Sequence, residues 1–589
     1  MLDVLIRGGT VVDGAGGPAR REDLGIRDGR LVLSGGPGDA GSIREPADKV
    51  IDADGLMVAP GFVDLHTHYD AQLFWDPTAS PSPLHGVTSV FAGNCGFSLA
   101  PCDPRDAGYL TAMLARVEGM PIAALEVGLD WRWRTFGQWL DRLDGSLGVN
   151  AGFLAGHSTL RRGVMGDRAV GEVASASEVA SMVDGLRAAL SEGAMGLSTS
   201  QAHTHHDGTG QPVPSRWADR SEMEALAAAV RDFPGTTVEL VLSGSLNGFS
   251  EEEVDLMVSM SLAADRPVNW NVLGVSAADP GAAEHQLAAS DTASLRGATV
   301  VALTLPHTMR IRLSFETGVI LDGLPGWREV LSLPRAERLA ALSDPDVRSR
   351  LDAGAQSEDA GILRHLAVWR RLVLEETFAP ETAAYEGRTV GDVAAERGQS
   401  PFDAMLDVVV ADGLRTGLRP PIPESEEDWV LRGKTWADHR TVVGGSDAGA
   451  HLDTMCGAVY STALLGEGVR RHHVIGWEEA VRQLTDVPAR LYGLRQRGRL
   501  APGWWADVVV FDPETVGPDP ERTRDDLPGG ASRLYAGSTG VEHVLVNGVE
   551  TVRHGELTGR LPGRVLRSGR DTDTVRAGTD WMATTGADR

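Results

Sequence analysis

The stretch GFVDLHTHYD, Gly61 to Asp70, sets His66 and His68 two residues apart at the end of a short apolar run. In an extended strand, positions two apart project from one face, so the pair is a candidate for holding one metal ion. Further along, Cys95 ends FAGNCG, His157 ends AGH and Asp447 ends GGSD. A soft thiolate, two imidazoles and a carboxylate make a reasonable Zn²⁺ set. Zn²⁺ lowers the pKa of a bound water, and a nearby carboxylate can take a proton from the attacking water and return it to a leaving nitrogen. Asp447 is the natural candidate for that shuttle. Each residue also has a plainer reading. The histidines would cap a strand, Cys95 would be a small buried hydrophobe, and Asp447 would be a helix N-cap or turn residue. Together at the ends of successive strands, they favour a metal site.

Residues so distant in sequence converge only if the chain repeats one kind of unit. Apolar strand-like runs recur after Gly61: FVDLHTH, VTSVFAGN, NAGFLAGH, AMGLSTS, TTVELVLS, PVNWNVLG, TVVALTLP and VVGGSD. Amphipathic helical patterns such as EVASMVDGLRAALSEG and EEEVDLMVSMSLAADR separate them. Eight units predict an α/β fold, a closed (β/α)₈ TIM barrel with its chemistry at the carboxyl ends of the strands. Residues 1–60 and 500–589 read instead as short strands with Gly-rich turns, which predicts a small composite β-sandwich built from both chain ends beside a barrel over 61–499. A long insertion at about 334–441, helical in SLPRAERLAALSDPDVRSRLDAGA and SPFDAMLDVVVADG, precedes the eighth strand. It would either pack on the outer ring or fold over the barrel mouth.

The 589 residues suit a large barrel enzyme with an accessory domain, and at 42% hydrophobic residues a sizeable core is available. Asp and Glu outnumber Lys and Arg by 82 to 55, a formal net charge of -27, with no basic tract. That balance argues against nucleic-acid binding. Three cysteines form no disulfide framework and fit a reducing compartment. The start, MLDVLIRGGTVVDG, has neither a signal-peptide pattern nor a membrane span, so the expected location is cytoplasmic. The expected partner is a small molecule, and assembly into a homo-oligomer stays open.

The ordered set PGFVDLHTH, HGVTSVFAGNCGFSLAP, GHSTLRRGVMG, EGAMGLSTS and GGSDAGAH resembles the metal-dependent amidohydrolase superfamily, especially its N-acyl-D-amino-acid deacylase branch. The later EEAVRQLTDVPARLYGLRQRGRLAPGWWADVVVFDP extends the resemblance over nearly the whole chain, with weaker agreement from about Leu240 to Lys434. The resemblance implies hydrolysis of an amide C–N bond by metal-activated water, with one or two Zn²⁺ ions. It also implies that His66, His68, Cys95 and Asp447 occupy metal-site positions, with Cys95 replacing the bridging carboxylated lysine of other relatives.

The departures are specific. The branch expects a metal-binding histidine at the end of strand five and another at the end of strand six, but here these read TTVELVLSG and PVNWNVLG. The lysine usual after the strand-six histidine is also missing, and Gly274 lies near that point. Three outcomes follow: the metal sits nearer His66, His68, Cys95 and Asp447, it recruits new ligands, or it is lost. The best substitute imidazoles are in QAHTHHDGTG after strand four: His203, His205 and His206. Glu239 and Asn271 are further candidates, either as ligand or substrate contact or as groups satisfied in the barrel interior. His157 is a candidate catalytic or hydrogen-bonding group. His451 would orient Asp447 if a helix begins there. Arg310 and Arg312, in PHTMRIRLSF, are candidates for binding a substrate carboxylate. Trp270 would line a pocket or fill the core, and Trp504 and Trp505 suit domain packing.

The leading expectation is a metal-dependent amidohydrolase acting on a small amide such as an N-acyl amino acid. A cyclic amide or imide hydrolase and a noncatalytic, metal-binding scaffold are the alternatives. Loss of the strand-six lysine and of both histidines predicts a substrate range unlike that of an ordinary deacylase of simple N-acyl-D-amino acids.

Overall fold

A computed structural model describes residues 1–33, 42–422 and 424–582. All eight apolar runs form parallel strands: β1 (Phe62–Asp64), β2 (Val87–Ala92), β3 (Asn150–Phe153, resuming at Ala155–Gly156), β4 (Gly196–Ser200), β5 (Thr237–Val241), β6 (Val268–Leu273), β7 (Val300–Thr304) and β8 (Thr441–Val443). The first half of β3 completes a three-stranded sheet with β1 and β2, and its second half opens a six-stranded sheet running β3-β4-β5-β6-β7-β8. An isolated parallel bridge joins Thr67, just past β1, to Ala448, just past β8. These strands are buried almost throughout, which is why they read as apolar runs rather than alternating patterns.

The intervening helices form where expected. Ala176–Ser191 and Glu251–Ala264 each open on a capping box, Ser175 with Glu178 and Ser250 with Glu253, which satisfies backbone donors the first turn leaves free. The first helix therefore starts two residues before the sequence pattern, at Ala176, and the second starts with it, at Glu251.

Both chain ends meet in one nine-stranded sheet. Leu2–Val11 pairs with Arg20–Arg27, Ala47–Asp52 and Met57–Pro60, and Met57–Pro60 pairs in turn with Val508–Phe511. Val541–Val546 and Val549–Arg553 extend the sheet. One face buries Val4, Ile6, Leu24, Ile26, Val508, Val510 and Leu545, and the alternate positions Val509, Phe511, Val541 and Val544 enter the main core from the other face. Beyond it the chain returns to β3, where Val565 bridges Ala151.

Between β7 and β8, the inserted segment carries a hydrophobic core of its own, from Leu313 and Phe315 through Trp327, Trp369 and Phe402 to Leu418. This core begins earlier than the helical sequence pattern, because Leu313 pairs with Leu418 across an isolated antiparallel bridge. No helix among the described residues is long and apolar enough to cross a membrane.

Candidate metal centre and active site

His66 and His68 lie just beyond β1, not within it. Their spacing still converges because the bend is pinned on both sides. The Thr67 N–H donates to Phe91 O at 2.9 Å, the His68 N–H to Ala448 O at 2.8 Å, and the Asp447 N–H to His66 O at 3.1 Å. The two rings meet edge to face with centroids 5.3 Å apart.

Each imidazole turns Nε2 toward a common centre. His66 Nε2 lies 3.4 Å from Cys95 Sγ and 3.2 Å from Asp447 Oδ1. His68 Nε2 lies 3.5 Å from the same oxygen. The donor atoms of His66, His68 and Cys95 all fall within 4.8 Å of one another. A tetrahedral ion with ligands at about 2.0–2.3 Å needs donors roughly 3.3–3.8 Å apart, so a modest adjustment closes the set around Zn²⁺. Cys95 and Asp447 both take left-handed backbone conformations, φ 56° and 55°. Non-glycine residues occupy that region at a cost, which concentrates at functional sites. Gly445, φ 73°, admits the approach of Asn271, since a Cβ there would lie 2.2 Å from Asn271 Oδ1.

The surroundings are acidic. Glu239, at the centre of β5, accepts the Cys95 N–H through Oε2 at 3.0 Å and sets Oε1 3.7 Å from His66 Nδ1. Glu118 sets Oε2 3.3 Å from His68 Nδ1. Asp70 accepts the Gly93 N–H at 3.1 Å. Burial pushes the Glu239 carboxyl up to about 8 and the Asp70 carboxyl up to about 6. Burial would also raise Asp447, but hydrogen bonds from His66 and His68 outweigh it and hold that carboxyl well below its ordinary range. Burial would lower His68, yet Glu118 and Asp447 raise it to about 9. Four carboxyl groups and a thiol thus face two imidazoles, and Glu118 Oε1, Glu239 Oε1 and Asp70 Oδ1 have no hydrogen-bond partner among the described residues. A buried set with excess acid and unsatisfied atoms fits a divalent cation.

The other sequence candidates separate. Glu239 stands behind His66 and beneath the Cys95 amide, outside the mutual donor group. Asn271 Nδ2 lies 3.5 Å from Asp447 Oδ1. His205 faces this region but gives Nδ1 to Ser200 Oγ at 2.7 Å and packs on Phe97, and burial lowers it to about 3. His203 is exposed, and His206 gives Nδ1 to Thr204 O. The three loop imidazoles therefore do not join the donor set. No helix begins at Asp447. The chain runs in turns as far as Gly457, and His451, φ 51°, donates its backbone N–H to Glu118 O at 2.5 Å. Trp270 is fully buried against Phe249, a core residue.

His157 is also taken elsewhere. A helix starts at His157 itself and turns the ring sideways, with Nδ1 2.8 Å from Thr199 Oγ1 and Nε2 2.9 Å from Glu222 Oε1. Glu222 Oε1 also accepts from Arg161 Nε at 2.9 Å, and all three side chains are buried. Glu222→Gln should therefore destabilise the protein by about 3–5 kcal/mol, because Arg161 would keep its charge without a counter-ion. Equilibrium urea unfolding checks this, and a loss below about 1 kcal/mol would show that the pair is dispensable.

Arg312 is buried and committed, with Nη1 2.7 Å from Glu376 Oε2 and Nη2 2.9 Å from Thr523 Oγ1. Arg310 is exposed and has no ion-pair partner among the described residues. It lines a cavity of about 360 Å³ together with Leu305, His307, Met309, Trp429, Ser446 and Met455. Ser446, the neighbour of Asp447, thus belongs to the wall of a cavity that the insertion helps to build.

A buried set of two imidazoles, a thiol and a carboxylate at the ends of parallel strands suits metal-dependent hydrolysis. The chain belongs to the Amidohydrolase family, which it matches over residues 49–552. It is 30% identical to the D-aminoacylase of Alcaligenes xylosoxydans xylosoxydans over 96% of this chain and 97% of that one. It is 30% identical to the N-acyl-D-glutamate deacylase of the same organism, over 96% of each chain. The N-acyl-D-glutamate deacylase of Bordetella bronchiseptica, solved with zinc and a phosphonate inhibitor mimicking the reaction's tetrahedral intermediate, is 27% identical. It superposes with a TM-score of 0.64 over 96% of this chain and 100% of that chain.

Proposed function

We propose that this protein hydrolyses the amide of an N-acyl amino acid, with His66, His68 and Cys95 holding one Zn²⁺ and Asp447 shuttling the proton. The observation that carries this is the orientation of Asp447. Its side chain is 16% exposed, against 0% for His66 and 3% for His68, so it forms the outward face of an otherwise buried set. Zn²⁺ bound there supplies Lewis-acid activation of water and of the amide carbonyl. Asp447 Oδ1 lies 3.2 Å from His66 Nε2 and 3.5 Å from His68 Nε2, on the side where the ion would sit, which leaves Oδ2 to accept the proton of the attacking water and pass it to the leaving nitrogen. Asn271 steadies the same carboxylate from β6. Glu239 holds the Cys95 amide and backs His66.

Arg310 is the group that would bind the substrate carboxylate, because it alone of the two arginines has no ion-pair partner within 4 Å among the described residues and lines the cavity with Ser446, where Glu424 and Glu521 share the wall. Gly274 leaves open space where the deacylases' lysine would stand. The carboxylate would then be gripped from the β7 side, which shifts the substrate range and stereochemical preference away from simple N-acyl-D-amino acids. A screen of N-acetyl and longer N-acyl amino acids in both enantiomers, beside cyclic amides, tests this with zinc-loaded protein. Longer or charged N-acyl amino acids should be turned over. Efficient hydrolysis of several simple N-acetyl-D-amino acids, with kcat/KM above about 10⁴ M⁻¹s⁻¹, would overturn the shift. Preference for cyclic amides would overturn the substrate class.

We also read the two parallel sheets as one closed (β/α)₈ barrel, supported by the bridge from Thr67 to Ala448 and by the continuity of β3 between them. The nine-stranded sheet would then be the main part of the accessory β domain. Three buried free cysteines support a reducing, cytoplasmic location.

A further inference from the structure

Glu118 lies outside the mutual donor set, and nothing in its sequence context, ARVEGM, marks it. It follows the helix Ala107–Val117 as its C-cap, and its side chain is 3% exposed. The position is a poor one for a carboxylate. The C-terminal end of a helix carries partial negative charge and repels an anion, and burial removes the water that would stabilise it. Yet the residue is firmly fixed. Its N–H donates to Leu114 O at 2.9 Å, and its carbonyl accepts the His451 N–H at 2.5 Å. Gly119, φ 57°, allows that contact, since a Cβ there would stand 3.1 Å from His451 Cα. The outcome is a carboxylate oxygen, Oε2, held 3.3 Å from His68 Nδ1, while His68 Nε2 turns to Cys95 and Asp447.

We propose that Glu118 is the positioning residue of the metal centre: its carboxylate accepts a hydrogen bond from the Nδ1–H of His68, fixes the tautomer that leaves Nε2 free for metal, and holds the ring plane. This rests on the reading of His66, His68 and Cys95 as the zinc site. A carboxylate behind a metal-binding histidine raises its basicity as well as its order, and losing one typically costs about 10–100-fold in metal affinity or activity. Glu118 touches neither substrate nor the reacting atoms, so its effect passes through His68.

The test measures Zn²⁺ affinity by competition with a chromophoric chelator, and the visible absorption of the Co²⁺-substituted protein, for wild type, Glu118→Ala and Glu118→Gln. Glu118→Ala should weaken Zn²⁺ binding by about 10–100-fold and alter the Co²⁺ bands. Glu118→Gln, which keeps an acceptor of the same size, should restore much of the affinity and the wild-type bands. The melting temperature of metal-free Glu118→Ala should not fall below that of the metal-free wild type, since the substitution removes a buried acid from an unfavourable helix end. Unchanged affinity and spectrum in Glu118→Ala would overturn the inference while leaving the zinc site intact. A fall in metal-free melting temperature that accounts for the lost affinity would also overturn it, by making Glu118 a structural residue. Wild-type protein that binds no Zn²⁺ would overturn the zinc site and this inference together.

Discussion

Replacing Asp447 by Asn should lower kcat by at least about a hundredfold while changing KM much less. The substitution preserves size and leaves His66, His68 and Cys95 in place, so the site should assemble. What it removes is a base able to take a proton at Oδ2. In the metal-free site the two imidazoles hold the native carboxyl well below its ordinary range, so wild-type Asp447 is ionised before metal binds. Steady-state kinetics on zinc-loaded variant and wild type, with zinc content measured on the same samples, is the check. A variant that retains zinc and near-normal kcat would move the base to another group, with Glu239 the next carboxylate in reach.

Stripping divalent metal with a chelator should abolish turnover, by roughly a thousandfold or more, and one equivalent of Zn²⁺ should restore it. His66→Ala should show the same loss without restoration, because His66 Nε2 is the donor nearest both Cys95 Sγ and Asp447 Oδ1. Elemental analysis on tag-free protein should find about one zinc per wild-type chain and under about one in ten for the variant, the expected result of removing an inner ligand. Full activity in protein holding less than that would refute a metal requirement. Two firmly held ions per chain would require ligands beyond the set brought together here. Neither His203 nor His206 is placed to supply them, and His205, whose Nδ1 meets Ser200 Oγ, lies outside the mutual donor group.

The sequence announced what depends on period and order. Eight buried strands show as apolar runs, and strands at both chain ends show as alternating ones with glycine turns. The donors His66, His68, Cys95 and Asp447 show because each closes such a run. Side-chain direction beyond a strand end was not legible. His157 closes a run as neatly as Cys95 does, but the helix that starts on it swings the ring to Thr199 and Glu222, a partner far along the chain. Arg310 and Arg312 are alike in sequence, and only the presence of Glu376 and Thr523 around one of them tells them apart. Glu118 and Asp70 were missed because a lone acid near a helix end or after a histidine pair reads as a solvated residue. The one available signal was a glutamate placed against the helix dipole with glycine next to it, and that gains meaning only once His451 and His68 are seen beside it.

The pairing of Met57–Pro60 with Val508–Phe511 sets an order of events during synthesis. When the N-terminal strands leave the ribosome, that edge of their sheet has no neighbour, and about 450 further residues must be translated before its partner emerges. At about 5–20 residues per second the wait is roughly 25–90 s. Throughout it the nascent chain carries an open strand edge that another chain could occupy. The parallel strands between these segments can assemble in that interval, and the late arrival of Val508–Phe511 then clasps the finished body to the first residues made.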